Sequence, residues 1–119
     1  YVTFEMSGGT IAKNRSCQGG GIYSETSDFR ITGGTIGDLI NSLATSTDCS
    51  NYAQVAGGGI VLDCWTDEDT FINGGTISRN YSYSNGGGLY IIYVPSMTIE
   101  DTSSENDTII KNNFDVLGN

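Results

Sequence analysis

Apolar residues occur in this chain as short phrases between glycines, and the same phrases return in the same order. One phrase is Gly-Gly-Thr-Ile, found at residues 8–11, 33–36 and 74–77, with a degenerate copy ending in Thr108 and Ile109. A second phrase is three glycines followed by Ile or Leu, found at residues 19–22, 57–60 and 86–89. A third apolar position precedes each Gly-Gly-Thr-Ile phrase at a fixed offset, as in Met6 and Ile31. Alternating apolar and polar residues between glycine turns indicate short strands, so each repeat is predicted to hold three of them.

The regular return of these phrases is typical of a solenoid, in which each repeat stacks only on its neighbours. The second interval between repeats is longer than the others, which predicts a loop insertion at about residues 38–54. We therefore predict an all-β fold, a right-handed parallel β-helix of about four coils with three short strands per coil. This β-helix is predicted to span residues 1–119 as a single domain.

Equivalent residues of stacked repeats lie above one another, which predicts columns of like side chains. Three apolar columns are predicted to form the core: Met6, Ile31, Ile72 and Ile99; Ile11, Ile36, Ile77 and Ile109; Ile22, Ile60 and Leu89. Because side chains alternate along a strand, two rows are predicted to face outward: Thr10, Thr35, Thr76 and Thr108; Tyr23, Val61 and Tyr90. A ladder of hydrogen-bonded amides is predicted from Asn14, Asn80 and Asn112, with Leu39 interrupting it in the second repeat.

The charge of the chain argues against several classes of partner. There are 14 acidic and 5 basic side chains, and the formal net charge is −9. Such a charge repels nucleic acid and anionic membrane surfaces, so neither is an expected partner. No apolar run approaches the roughly 20 residues that span a bilayer, and membrane insertion is not expected either.

Three cysteines, Cys17, Cys49 and Cys64, lack the paired spacing of zinc sites, and the chain has no histidine. Neither a metal site nor a cofactor is predicted. An odd number of cysteines in an acidic chain rich in Gly, Ser, Thr and Asn suggests one disulfide and one remaining thiol, or a bond to another molecule, in an oxidising compartment. A bridge between Cys17 and Cys49 is favoured over one between Cys49 and Cys64. Buried, unpaired thiols are the alternative.

Three asparagines lie in glycosylation sequons: Asn14, Asn80 and Asn106. For Asn14 and Asn80 two interpretations compete. Asparagines inside a ladder are inaccessible to a transferase, whereas asparagines on an outward-facing turn carry sugar. Asn106 lies in the most acidic and least regular stretch and is the strongest glycosylation candidate.

Catalytic residues are not predicted, although carboxylates cluster in two places. One cluster surrounds Trp65 and consists of Asp63, Asp67, Glu68 and Asp69; the other lies within residues 100–107. Charge runs in turns are usually solvated surface, and hydrolysis or lyase chemistry needs a paired acid and base. Three of the basic residues, Lys13, Arg79 and Lys111, recur at one repeat position, as a structural repeat produces by itself. The chain is therefore expected not to be an enzyme, and a carbohydrate-active enzyme fragment using Asp63 or Asp67 is a distant alternative.

The Gly-Gly-Thr-Ile and Gly-Gly-Gly-Ile-Tyr phrases resemble the short repeats of right-handed parallel β-helix surface proteins of bacteria and protists. They are similar to the repeats of the polymorphic outer-membrane protein family. The resemblance covers nearly the whole chain apart from residues 38–54 and the last few. It implies a β-helix at the cell surface but no particular activity, because the same solenoid supports adhesins, passenger domains, polysaccharide lyases and ice-binding surfaces.

The ends of the predicted stack are its most informative surfaces. About four coils spaced ~4.8 Å apart leave unpaired strand edges at both ends, and such edges pair with further strands. The expected function is a non-enzymatic, extracellular or cell-surface structural module, a subunit or segment of a β-solenoid fibre that self-associates through its open ends. An adhesin or glycan-binding β-helix segment is the close alternative, with glycans as the partner.

Overall fold

The computed structural model describes residues 3–25, 28–64, 70–100 and 108–116. Within these ranges the chain forms fifteen β-strands and no helix. The predicted all-β class is confirmed. Short strands follow from the sequence, because glycine turns interrupt every apolar phrase within a few residues.

The strands form four parallel sheets, and each sheet takes one strand from each repeat. Sheet 1 contains β1 (Thr3–Met6), β5 (Asp28–Ile31), β9 (Thr70–Asn73) and β13 (Met97–Glu100). Sheet 2 contains β2 (Thr10–Ile11), β6 (Thr35–Gly37), β10 (Gly75–Ser78) and β14 (Thr108–Lys111). Sheet 3 contains β3 (Arg15–Gln18), β7 (Tyr52–Ala56), β11 (Tyr81–Ser82) and β15 (Phe114–Asp115). Sheet 4 contains β4 (Ile22–Ser24), β8 (Ile60–Asp63) and β12 (Leu89–Tyr93).

Each strand pairs in parallel with the equivalent strand of the next repeat, an arrangement compatible with a parallel β-helix. The prediction of three strands per repeat is wrong, because the first three repeats have four. The missed strand is the one in sheet 3, whose members Arg15–Gln18, Tyr52–Ala56 and Tyr81–Ser82 share no apolar phrase. Their parallel pairing between repeats defines this sheet, and aromatic residues recur at one position of it, at Tyr52, Tyr81 and Phe114.

Most members of the predicted apolar columns form the core. Met6, Ile31, Ile72 and Ile99 are in register in sheet 1, and Ile22, Ile60 and Leu89 are in register in sheet 4. One hydrophobic cluster contains every member of both columns except Ile99, which lies in the last repeat. The same cluster contains Ile36, Ile77 and the stacked rings of Phe4 and Phe29. Dispersion and the hydrophobic effect therefore act along the stack, since each side chain is covered by its equivalent in the next repeat.

The fourth repeat is displaced by one residue from the predicted alignment in sheet 2. Ile110 pairs with Ile77, and Thr108 pairs with Gly75, so Ile109 does not belong to the apolar column. This repeat lacks the glycine pair, and a threonine takes the place of its second glycine. The threonine row accordingly ends in Ile109 rather than Thr108.

Two further details differ from expectation. Val61 lies in register between Tyr23 and Tyr90, but it is fully buried, whereas an outward-facing side chain was predicted. The loop predicted at about residues 38–54 is shorter in the structure, because Tyr52–Ala56 is a strand of sheet 3.

Close approach of successive repeats explains the glycine triplets. A Cβ built on Gly58 would lie 2.4 Å from the carbonyl oxygen of Gly87 and 2.5 Å from that of Tyr81. Real Cβ atoms do not come this close to a backbone oxygen, so only glycine lets the layers pair at this corner.

Candidate functional site

A ladder of asparagine side chains runs through all four repeats at the turn between sheets 2 and 3. Its members are Asn14, Asn51, Asn80 and Asn113. The Nδ2 groups of Asn14, Asn51 and Asn80 each donate to the Oδ1 of the next member, at 3.1, 2.8 and 3.0 Å. The Nδ2 groups of the last three members also donate to carbonyl oxygens of the preceding repeat, at Ile11, Ile36 and Ile77.

The ladder was predicted in kind but wrongly in two members. Asn113 rather than Asn112 belongs to it, because the fourth repeat is displaced by one residue. Asn51 supplies the second repeat, where an interruption at Leu39 was predicted, because the insertion lies between the repeated Ile and the ladder position. Buried amides with satisfied donors and acceptors fix the register of the repeats, since a slip would leave them unpaired.

The two ends of the ladder are chemically different. In the described part of the chain, the Oδ1 of Asn14 accepts no hydrogen bond from a preceding repeat, and no acceptor follows Asn113. Inside the stack, the backbone N–H groups of Asn14 and Asn80 donate to the Oδ1 of the next member. One end of the ladder therefore presents an acceptor, and the other presents the donors that match it.

An aromatic stack follows the ladder on sheet 3. The ring centroids of Tyr52 and Tyr81 are 5.4 Å apart, and those of Tyr81 and Phe114 are 5.7 Å apart. At the first repeat the Arg15 guanidinium lies 4.2 Å from the Tyr52 centroid and closes the stack with a cation–π contact. At the fourth repeat Phe114 is 38% exposed.

The apolar columns end in the same way at the fourth repeat. In sheet 1, Ile72 is 1% exposed and Ile99 is 47% exposed. In sheet 2, Ile77 is 2% exposed and Ile110 is 43% exposed. At the opposite end Met6 and Ile22 are buried although they belong to the first repeat. The fourth-repeat edge is thus the more apolar of the two open edges.

The insertion is held against the third repeat by Arg79, which has a positive φ of 64° and a fully buried side chain. Its Nη2 donates to Asp48 Oδ1 at 2.6 Å, and its Nε donates to Asp38 Oδ1 at 3.2 Å. Its Nη1 donates to Ser42 Oγ at 3.0 Å and to the Leu43 carbonyl at 3.1 Å. The planar guanidinium thereby bonds four residues of one loop: Asp38, Ser42, Leu43 and Asp48.

Burial by itself lowers the pKa of Arg79. The hydrogen bond to Asp48 and the charges of Asp38 and Asp48 outweigh that effect and raise the pKa above its ordinary value, so the side chain stays charged. The loop also reaches the fourth repeat, where the Ala44 N–H donates to the Asn112 carbonyl at 2.9 Å. Sequence reasoning missed this anchor and interpreted Arg79 only as part of a recurring basic position. The two aspartates flanking the insertion were the available signal.

No disulfide joins the cysteines, and the predicted bridge between Cys17 and Cys49 is wrong. Cys17 is an exposed free thiol on β3, and Cys49 is a half-buried free thiol in the insertion. Cys64 is buried in the hydrophobic cluster, where a thiol packs as a small apolar group. Partial burial raises the pKa of the Cys49 thiol. The free thiols remove the disulfide as support for an oxidising compartment.

The three sequons lie in different surroundings. Asn14 is exposed at the open end of the ladder, with its Nδ2 donating to Asn51. Asn80 is fully buried, and both of its Nδ2 bonds lie inside the stack, so a glycan there would require the ladder to open. Asn106 lies outside the described residues and stays a prediction.

The predicted acidic clusters lie largely outside the described residues, which include Asp63 and Glu100 but not residues 65–69 or 101–107. Among the residues that the structure describes, no three His, Cys, Asp or Glu side chains are grouped as a metal site would require. The described parts of the chain contain no helix with the length and hydropathy to cross a membrane.

The recurring basic position was predicted to hold Lys13, Arg79 and Lys111. Lys13 and Arg79 share a left-handed backbone conformation with Asn112, and Lys111 does not belong to this set.

Comparison with known proteins gives no further identification. The chain matches no protein-family model, and neither a curated protein nor a solved structure matches it.

Proposed function

We propose that this chain is a segment of a right-handed parallel β-helix that acts as a non-catalytic structural module and self-associates through its open sheet edges. The observation that carries the proposal is the exposed fourth-repeat edge. There Ile99, Ile110 and Phe114 continue columns whose third-repeat members, Ile72, Ile77 and Tyr81, are buried. Each column ends on a surface whose shape and chemistry match another repeat of the same kind.

Exposed parallel strand edges favour this function on physical grounds. The edges present backbone N–H and C=O groups that are paired everywhere inside the stack, and they lie beside exposed apolar side chains. Adding a layer would bury both together, so association gains hydrophobic free energy and hydrogen bonds at once. The two ends differ, and a contact between unlike ends does not close, so it generates a filament.

The predicted filament has definite dimensions. The molecule measures 37 × 31 × 22 Å. Four layers at about 4.8 Å would add about 19 Å per copy along the filament, close to the shortest dimension of the molecule. A fibre of this kind would give a meridional reflection near 4.8 Å by X-ray diffraction.

Light scattering over a wide range of concentration, followed by electron microscopy of the concentrated sample, tests the proposal. We expect the mass to rise with concentration and thin unbranched fibres to form. Ile110→Lys should abolish this rise by placing a charge on the open edge, whereas Ile40→Lys, a matched change on the exposed insertion, should not. A single monomer mass at every concentration would contradict self-association.

A glycan-binding module is the second candidate, and exposed tyrosines on sheet 4 favour it. Tyr23 and Tyr93 are both exposed on this sheet, and aromatic rings can pack against sugar faces. A specific signal on a glycan array that is lost in Tyr23→Ala and Tyr93→Ala would support this candidate. An extracellular or cell-surface location remains part of the proposal and rests on the acidic composition and the sequons.

A further inference from the structure

We infer that the partner of the fourth-repeat edge is the first-repeat edge of a second copy of this chain, docked in the register that places Asn113 beneath Asn14. The inference rests on the proposed self-association and adds its partner, its polarity and its register. Three features of the two edges agree with this register.

The asparagine ladder is the first feature. Within the chain, each ladder member donates from its Nδ2 to the Oδ1 of the next, and the Asn80 N–H donates to that same oxygen at 2.9 Å. At the fourth repeat, Asn113 has both donors in position, and its Nδ2 already bonds the Ile77 carbonyl with one hydrogen. At the first repeat, Asn14 presents its Oδ1. When one copy stacks on another, the Asn14 Oδ1 of the second copy becomes the acceptor for the Asn113 Nδ2. The ladder then continues with the same Nδ2–Oδ1 bond that joins its members inside the chain.

The ladder also places the backbone groups beside it. Asn51, Asn80 and Asn113 each bond a carbonyl of the repeated Ile in the preceding repeat. In the docked register, the Asn14 Nδ2 of the second copy lies at the Ile110 carbonyl of the first copy, since Ile110 occupies the repeated-Ile position. Both hydrogens of that amide are then bonded, as they are at Asn51 and Asn80.

The aromatic stack is the second feature. Arg15, Tyr52, Tyr81 and Phe114 occupy equivalent positions in successive repeats of sheet 3. The guanidinium of Arg15 lies over the Tyr52 ring, and Arg15 is exposed, so the other side of the guanidinium is open to a partner. In the docked register, the exposed ring of Phe114 meets that other side, so one cation lies between two aromatic faces.

The apolar columns are the third feature. Continuing the register places Ile99 on Met6 and Ile110 on Ile11 of the second copy. Phe4 of the second copy falls on Met97, which pairs with Thr70 in the column that contains Phe29. Thioether and aromatic groups contact favourably, and the large exposed surfaces of Ile99 and Ile110 are covered by apolar side chains. Sheets 1, 2 and 3 thus all continue across the junction.

The glycine corner of the first repeat agrees with a head-to-tail junction. At the first repeat, a Cβ built on Gly8 or Gly9 would meet nothing within 4 Å. At the equivalent position of the second repeat, a Cβ on Gly34 would lie 2.9 Å from the Gly9 carbonyl oxygen. This corner of the first repeat therefore has room for a preceding layer, and a head-to-tail junction supplies one.

Disulfide trapping between copies tests the register. The column formed by Thr10, Thr35, Thr76 and Ile109 faces outward on sheet 2, so Ile109 of one copy should lie against Thr10 of the next. Neighbouring strands are about 4.8 Å apart, a distance that a disulfide can bridge. The protein would carry Thr10→Cys and Ile109→Cys with Cys17→Ser and Cys49→Ser, while the buried Cys64 stays in place.

We expect mild oxidation to give a ladder of covalent oligomers that forms at least ~10-fold faster than in the mismatched pair Thr10→Cys with Thr98→Cys, which lies on two different sheets. Thr10→Cys alone and Ile109→Cys alone should give no dimer. A disulfide in a single variant would join the same residue of two copies, and these residues meet only at a symmetric junction. Trapping in a single variant or in the mismatched pair, with association intact, would overturn the register while leaving the proposed function standing. Absence of both association and trapping would overturn both.

A second readout measures the Arg15 contact without any new cysteine. Arg15→Ala should weaken association by about 5-fold, the effect of a partly desolvated cation–π contact. The matched control is Arg30→Ala, because Arg30 lies 5.9 Å from the Phe71 centroid on the side of the stack and away from either edge. Equal affinity for Arg15→Ala and the unaltered protein in light scattering would contradict the proposed position of Phe114 beneath Arg15.

Discussion

The third and fourth repeats carry the same kinds of residue at equivalent positions but in opposite surroundings. Ile72 and Ile77 are buried in the core, whereas Ile99 and Ile110, in the next repeat, are exposed to solvent. Strand, register and side-chain direction are the same in both layers. The difference teaches that the apolar side chains of one repeat are buried by the repeat that follows it and not by their own repeat. Only the interior repeats of the stack therefore have a fully buried core.

The largest expected contrast is between two isoleucines of one column. Ile72→Ala should destabilise the protein by about 2–5 kcal/mol, because a buried side chain leaves a cavity between layers that cannot collapse. Ile99→Ala should cost about 1 kcal/mol, because nearly half of that side chain is already exposed. Urea unfolding followed by circular dichroism of the dilute protein measures both. Equal losses for the two variants would contradict the difference between the layers.

A smaller contrast is expected within the asparagine ladder. Asn80→Ala removes the partners of the Asn51 Nδ2 and the Ile36 carbonyl inside the stack, which should cost about 3 kcal/mol. Asn14→Ala removes one bond at the exposed end and should cost about 0.5–1 kcal/mol. The same unfolding experiment compares them. A ladder that merely follows the fold, without stabilising it, would give two small and similar values.

The anchor of the insertion should contribute somewhat less. Arg79→Met removes hydrogen bonds to Asp38, Asp48 and the loop backbone and should cost about 2 kcal/mol, reduced because the carboxylate of Asp48 is largely solvated. Arg30→Met, which breaks the exposed pair with Asp28, should change stability by no more than about 0.5 kcal/mol. Limited proteolysis should in addition cut residues 38–50 in Arg79→Met first. An uncut loop in that variant would show that other contacts hold the insertion.

The smallest effect concerns reactivity and leaves stability unchanged. Iodoacetamide should modify the exposed Cys17 first, the half-buried Cys49 more slowly and the buried Cys64 only on unfolding. The raised pKa of Cys49 keeps its thiol protonated to higher pH, so its rate should still be rising as the pH increases past about 8.5, the ordinary thiol value. Mass spectrometry of timed samples checks the order, and rapid modification of Cys64 in the folded protein would contradict its place in the core.

The fold class and most core columns could be predicted from the sequence because glycine phrases and isoleucines recur at fixed offsets. Met6, Ile31 and Ile72 pair as expected, and so do Ile22 and Ile60. Sheet 3 was missed because its strands carry no glycine phrase. Their shared signal is a single asparagine–aromatic pair, at Asn51-Tyr52, Asn80-Tyr81 and Asn113-Phe114, and the first repeat has Arg15 in place of the aromatic residue. The one-residue displacement at Ile110 arises where the glycine phrase has degenerated, so the marker that sets the alignment is missing.

The candidate site was predictable in kind rather than in detail. Unpaired edges follow from a finite stack of repeats, and an amide ladder follows from asparagines at a turn. Asn51 and the contacts of Arg79 depend on how the insertion folds back over the third repeat, and no local pattern specifies that path. All three thiols are free: Cys64 packs in the core, Cys49 lies in the insertion and Cys17 lies on β3.

Amide hydrogen exchange, followed residue by residue in dilute and then in concentrated protein, tests most directly whether each repeat is completed by the next. The account predicts that β9 and β10 are protected at both concentrations, whereas β13 and β14 exchange quickly when dilute and gain at least ~10-fold protection on assembly. Equal protection of all four repeats in dilute solution, or assembly without any gain in the fourth, would contradict it.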